Sequence, residues 1–160
     1  MTNPAAGALI LSEFLPYRLH NAAEKVSLAF SRIYKTEHGL NRPEWRVLAI
    51  LAQLPKSTAT EIGGLSSMHK TKVSRAVAAL EARKWLKRWA DSDDRRVEWL
   101  ELTRTGRQRF SGLSDLARDF ERRLNQALGD AAIAKLLAAL AAIEAARLPD
   151  LKRTHQRRPK

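Results

Sequence analysis

The residues most able to do chemistry sit in one short run, Lys70-Thr71-Lys72-Val73-Ser74-Arg75. Lys70, Thr71, Lys72, Ser74 and Arg75 are all hydrogen-bond donors, and no acid follows until Glu81. Donors of this kind reach phosphate oxygens and the acceptor edges of bases. A second pair of cations, Arg95 and Arg96, stands in Asp91-Ser92-Asp93-Asp94-Arg95-Arg96. Arginines at such a tip suit the negative potential of a minor groove. The three acids beside them are expected to work within the chain, with at least one accepting from an arginine to fix the tip.

Other chemistries lack their parts. The 160 residues contain no cysteine, which excludes disulfides, thiolate catalysis and cysteine-bound zinc. The histidines, at 20, 38, 69 and 155, form no close pair, so neither a metal nor another cofactor is expected. Gly63-Gly64 is followed by no Lys-Thr at phosphate-loop spacing. No nucleophile stands with a base, and no enzymatic activity is expected. The 29 Lys and Arg outweigh 17 Asp and Glu, a formal charge of +12. Charge of this size favours a polyanion, with double-stranded DNA ahead of an anionic membrane. No apolar run approaches the roughly 20 residues of a membrane span. The N-terminus has no signal-peptide pattern, so a cytoplasmic protein is expected.

These residues need elements to hold them. Apolar residues recur at three and four over 11–34, one face of a long helix. Pro16 either kinks that helix or marks its start, and Gly39 suits its C-terminal cap. Asn41 or Arg42 caps a second helix with Pro43 in its first turn, and Pro55 ends it. Thr58 or Thr60 starts a short third helix ending near 63–65. Ser66 or Ser67 precedes a fourth over 70–83, with Val73, Ala76, Val77 and Leu80 inward. The period then drops to two, predicting strands at 86–90 and 97–102 around the charged turn. Thr103 or Thr105 caps a long helix to Leu128, and an Ala- and Leu-rich helix follows over 131–147.

Helices at 58–66 and 70–83, separated by a short turn, have the spacing of a helix-turn-helix. Together with the charged hairpin and Leu102-Thr103 and Gly106 after it, residues 60–106 resemble the winged helix-turn-helix of the MarR family of transcriptional regulators. The flanking helices occur in the family's order, so the resemblance covers essentially the whole chain. It implies a mainly α fold with a small β-wing: a winged helix-turn-helix lobe plus N- and C-terminal dimerisation helices. The expected divisions are 9–40 (N-terminal helix), 41–104 (DNA-binding lobe), 105–148 (C-terminal dimerisation helices) and 149–160 (a basic, disordered tail). Two departures stand out. His69 replaces a frequent acid before the recognition helix, and Lys84 replaces a usual glycine after it.

Function follows as expectation. Ile133, Leu136, Leu137, Leu140 and Ile143 make a face more apolar than one small domain covers, and Leu9, Ile10, Leu11 and Phe14 are similar. Both ends are expected to pack on a second copy. A homodimer would place two recognition helices in successive major grooves of a pseudo-palindrome. Ser67, His69, Lys70, Thr71, Lys72, Ser74, Arg75, Arg95 and Arg96 are the expected DNA contacts. The resemblance further implies a small-molecule effector. Leu15-Pro16-Tyr17-Arg18-Leu19 and Pro43-Glu44-Trp45-Arg46-Val47 are similar to the branch that responds to aromatic acids, including hydroxycinnamate regulators. Tyr17, Trp45, Phe30 and Tyr34 offer aromatic walls. Arg18, Arg46 or His20 offers a partner for a carboxylate, and Ser31 a hydroxyl. The chain thus reads as a regulator, more readily a repressor, released by a small aromatic carboxylate of phenolic or N-heterocyclic type. The rival reading is a non-specific architectural DNA-binding protein with no effector.

Overall fold

The computed structural model describes residues 9–147, so the expected fraying of 1–8 and the basic tail lie outside the described residues. The chain divides into two compact units, residues 1–120 and 121–160. The order of elements is α1 (Leu15–His38), α2 (Arg42–Gln53), β1 (Ser57–Thr58), α3 (Ala59–Ser66), α4 (Lys70–Ala82), β2 (Leu86–Ala90), β3 (Glu98–Leu102), α5 (Arg104–Leu128) and α6 (Asp130–Ala145). The fold is mainly α with a small β-wing. Among the described residues, no single helix is long and apolar enough to cross a membrane.

Pro16 proves to be a start rather than a kink. It sits in the first turn of α1, and Leu11 and Phe14 precede the helix instead of belonging to it. The ring presets the helical φ and removes an N–H that has no intrahelical partner there. α1 ends at Gly39, whose φ of 62° is left-handed and whose N–H donates to Lys35 O at 2.9 Å. Asn41 caps α2 reciprocally: its side chain accepts from Glu44 N, and Glu44 accepts from Asn41 N. Thr58 and Glu61 do the same for α3. Each such cap contributes about 1 kcal/mol.

The core of residues 1–120 is built from Val47, Leu48 and Leu51 of α2, Ile62 of α3, and Val73, Val77 and Leu80 of α4. Leu86, Leu100 and Leu102 add the inward face of the sheet. Strand order is β1-β3-β2, all antiparallel. The hairpin was expected, with β3 one residue longer. β1 was not expected: Ser57 and Thr58 pair with Leu100 and Trp99.

Gly106 explains how α5 leaves the wing. A Cβ there would lie 1.9 Å from Trp85 O, so only glycine lets the two backbones meet. Thr103 O–H donates to Lys84 O at 2.7 Å and its oxygen accepts from Gly106 N at 3.1 Å. Within residues 121–160, α6 has no buried residue at all.

Candidate functional site

The turn between α3 and α4 comes from backbone bonds and one left-handed residue. Ser67 adopts φ 53° as the C-cap of α3, and Met68 N–H donates to Gly63 O at 3.2 Å. Ser66 O–H returns to Ile62 O at 2.5 Å. Neither serine therefore caps α4. His69 does, its Nδ1 accepting from Thr71 N at a long 3.4 Å.

With Val73, Ala76, Val77 and Leu80 buried, the helical repeat sends Thr71, Arg75 and Ala78 straight outward, and all three are exposed. Ala78 was not singled out from the sequence, because an alanine carries no charge to notice. The other expected contacts flank this stripe. Lys72 lines a cleft of about 280 Å³ with Glu24, Arg42, Arg46, Ser67 and His69. Lys70 and Ser74 lie on the opposite side, in a cleft of about 170 Å³ with Arg88 and Glu98.

Electrostatics tie these walls down. In the first cleft Arg42 donates to both oxygens of Glu24, at 2.6 and 3.1 Å, and holds that carboxyl below its ordinary pKa. In the second, Arg88 bonds Glu81 at 2.5 Å and approaches Glu98 at 3.6 Å. This fastens the last turns of α4 to β2.

The wing tip is fixed differently from expectation. Asp91 accepts from the indole N–H of Trp99 at 2.6 Å and from the backbone of Asp93 and Asp94. These bonds, the indole first, lower its pKa. Asp94 accepts from Arg96 N at 3.0 Å, but the guanidinium stays 3.9 Å away. An indole and backbone amides therefore do the work assigned to an arginine, and Arg95 and Arg96 remain exposed. Lys56 lies 3.9 Å over the Trp99 ring and braces the same side chain. Lys84 takes the left-handed conformation, φ 59°, that its position demands despite having a Cβ.

The residues expected at an effector site are distributed, not gathered. Trp45 stacks at 5.8 Å on Tyr34 and meets Phe30 edge-on at 5.2 Å. Tyr17, Arg18 and His20 are exposed on the first turns of α1. Arg46 lies in the first cleft, where it reaches Ser66 O at 3.5 Å. Ser31 O–H donates to Leu28 O at 2.7 Å and lines a separate cavity of about 260 Å³. That cavity also holds Tyr34, Lys35, Gly39, Asn41 and Arg42. Tyr34 is only 1% exposed, and its hydroxyl has no hydrogen bond of good geometry, although Arg42 and Ser31 flank it. Burial pushes the phenol above its ordinary pKa, so it stays protonated.

One connection was invisible in the sequence. Arg83, at the C-cap of α4, donates to His38 O at 3.1 Å and Gly39 O at 2.9 Å, and sits 3.7 Å from Glu44. A cation there neutralises the negative end of α1 and joins it to the end of α4.

Comparison with known proteins bears on this geometry. The MarR family matches residues 38–97. No curated protein matches significantly. Among solved structures, the MarR family transcriptional regulator SPO1453 from Silicibacter pomeroyi is 34% identical. The match covers 86% of this chain and 99% of that one, with a TM-score of 0.71. The transcriptional repressor CouR, bound to a 23-mer DNA duplex, is 30% identical. It covers 86% and 99% of the two chains, with a TM-score of 0.74. BpsR of Bordetella bronchiseptica shares the fold at 21% identity and a TM-score of 0.76, over 88% and 99% of the chains. With 34% identity along nearly all of one such regulator, and the family's pattern running from the end of α1 to the wing, this chain belongs to the MarR family of transcriptional regulators.

Proposed function

We propose that the chain is a sequence-specific DNA-binding repressor that acts as a homodimer on a pseudo-palindromic operator. The observation that carries this reading is the outward face of α4, where Thr71 and Arg75 stand exposed with no acid between them. His69 and Lys72 flank the face on one side, Lys70 and Ser74 on the other. Arg75 and Lys72 read base edges; Lys70, Ser67 and the wing's Arg95 and Arg96 hold phosphates and the minor groove. The relative CouR, itself a repressor bound to duplex DNA, supports the same use of this lobe.

The lobe spans 41–104, and residues 9–40 and 105–148 join two copies. Leu136, Leu137, Leu140 and Ile143 of α6 support this, being 37–61% exposed, as do Leu9, Ile10, Leu11 and Phe14. A small aromatic carboxylate acts as effector and releases DNA. Its contacts come from Tyr17, Arg18, His20, Ser31, Trp45 and Arg46, with the two copies bringing together what one chain holds apart. Release requires unequal affinity for DNA-competent and incompetent arrangements.

The test is a DNA titration over a range of salt, with a duplex selected from a random pool and with random duplex. Arg75→Ala and Lys72→Ala should cost about 1–3 kcal/mol on the selected duplex and relax its sequence choice. Lys70→Ala should weaken both duplexes alike and flatten the salt slope. Equal losses on both duplexes for all three variants would instead identify a non-specific architectural protein.

A further inference from the structure

We propose that the cleft between α4 and the inner face of the wing seats one phosphate of the DNA backbone on Lys70, Ser74 and Arg88, and that the Glu98 carboxylate competes for that place until DNA displaces it. Arg88 is then a further DNA contact, and Glu98 a built-in competitor that lowers affinity. This rests on the DNA-binding reading above.

The register of the hairpin makes the cleft. Leu86 pairs with Leu102, Arg88 with Leu100 and Ala90 with Glu98, so all six side chains share one face. Near its base that face is apolar, with Leu86, Leu100 and Leu102 buried in the core. Toward the tip it turns charged, and there Arg88 and Glu98 line a gap of about 170 Å³ with Lys70 and Ser74 of α4. These groups are unequally engaged. Arg88 Nε and Nη2 donate to Glu81, at 3.0 and 2.5 Å. Its Nη1 is left near Glu98 at 3.6 Å, beyond hydrogen-bonding distance, and the Glu98 side chain is 60% exposed. Lys70 has no ion pair among the described residues. Glu81 therefore holds the guanidinium still while one edge stays open to a second anion. An exposed, loose pair contributes little, whereas a phosphate between a guanidinium, an ammonium and a hydroxyl gains charge-assisted bonds.

The shape of a duplex says which anion arrives. A helix in a major groove and a wing tip in the next minor groove stand on either side of one sugar-phosphate strand. That strand passes through the gap between helix and wing, so the residues lining the gap meet a phosphate. Lys70, Ser74 and Arg88 suit that encounter. Glu98 opposes it, because a carboxylate in the path of a phosphate repels it and holds the edge of Arg88 that the phosphate needs.

Fluorescence-anisotropy titration of the full chain with the selected and random duplexes tests the seat. Glu98→Gln should bind both duplexes about threefold more tightly or better at low salt, with the gain shrinking as salt rises. Its melting temperature should stay within a few degrees of wild type, since the side chain is exposed. Arg88→Gln should bind both duplexes about threefold more weakly or worse. Glu37→Gln, the same charge change on the last turn of α1, should bind as wild type does. Single neutral methylphosphonate linkages, walked along the selected duplex, should reveal a position at which the gain from Glu98→Gln and the loss from Arg88→Gln both disappear. Unchanged or weaker binding by Glu98→Gln overturns the proposal. So does an equal gain from Glu37→Gln, which is an effect of net charge alone, and so does a walk that finds no such position. If the seat fails in these ways while Arg75→Ala still weakens the selected duplex, the DNA-binding reading stands without it. A wild-type chain that binds neither duplex overturns both.

Discussion

Residues 42–102 and the helix over 130–145 treat apolar side chains in opposite ways. In the first, Val47, Leu48, Leu51, Ile62, Val73 and Leu80 are all 0% exposed, and α2, α3 and α4 each begin at a side-chain cap. In the second, Gly129 supplies no capping side chain, and Leu137 is 61% exposed. A helix of this length is marginal alone, and its stability comes from what its apolar face packs on. The lobe thus carries its own buried core, whereas in the homodimer proposed above α6 would be finished by the second copy. On that proposal the contrast separates reading DNA from joining copies, so each can be broken without the other.

Gly106→Ala gives the largest expected effect. The added methyl collides with the Trp85 carbonyl, and we expect a loss of about 3 kcal/mol, seen as a lower urea midpoint for the lobe. Unchanged stability would mean that β2 and α5 do not meet as described. Next, Leu137→Asp combined with Leu140→Asp should weaken self-association by about 3 kcal/mol while the lobe's own unfolding stays put. Sedimentation at micromolar concentration checks it, and a persisting dimer would move the interface off α6. Lys84→Gly should stabilise the lobe by about 1 kcal/mol, since the residue already holds φ 59°. A lower melting temperature would show that the Lys84 side chain is worth more than its backbone strain.

The smallest effect concerns pH. The folded pKa of Asp91 lies below the ordinary 3.8, so its stabilisation is complete above that value. It is lost as pH falls through the lowered folded value. In an acid titration by NMR, the Trp99 indole proton should therefore hold its position down to about the ordinary aspartate range and move only below it. Asp91→Asn should abolish that step and leave the lobe's core signals unchanged.

The second, third and fourth helices were legible because their signals were local: a 3.6-residue period, Asn41 and Thr58 before it, Pro55 after it. The hairpin was legible for the same reason. Other features depend on residues far apart in the chain. β1 has two residues and therefore no period to detect. Pro16 is compatible with either a kink or a start, and only packing decides. Arg83 finds its partners forty-odd positions away, at His38 and Gly39. For the candidate site, the cations of α4 could be read from composition. Tyr34 was visible as an aromatic wall, but the bonding of its hydroxyl was not, because that is set by what surrounds it.

The pairing of Ser57 with Leu100 also bears on the order of folding. It closes a loop containing all of α3, α4 and β2, so its entropic cost falls due before its few bonds are made. The two helices and the hairpin need only short-range contacts and can form first. Two-residue β1 then acts as a late stitch, and weakening it should speed unfolding far more than it slows folding.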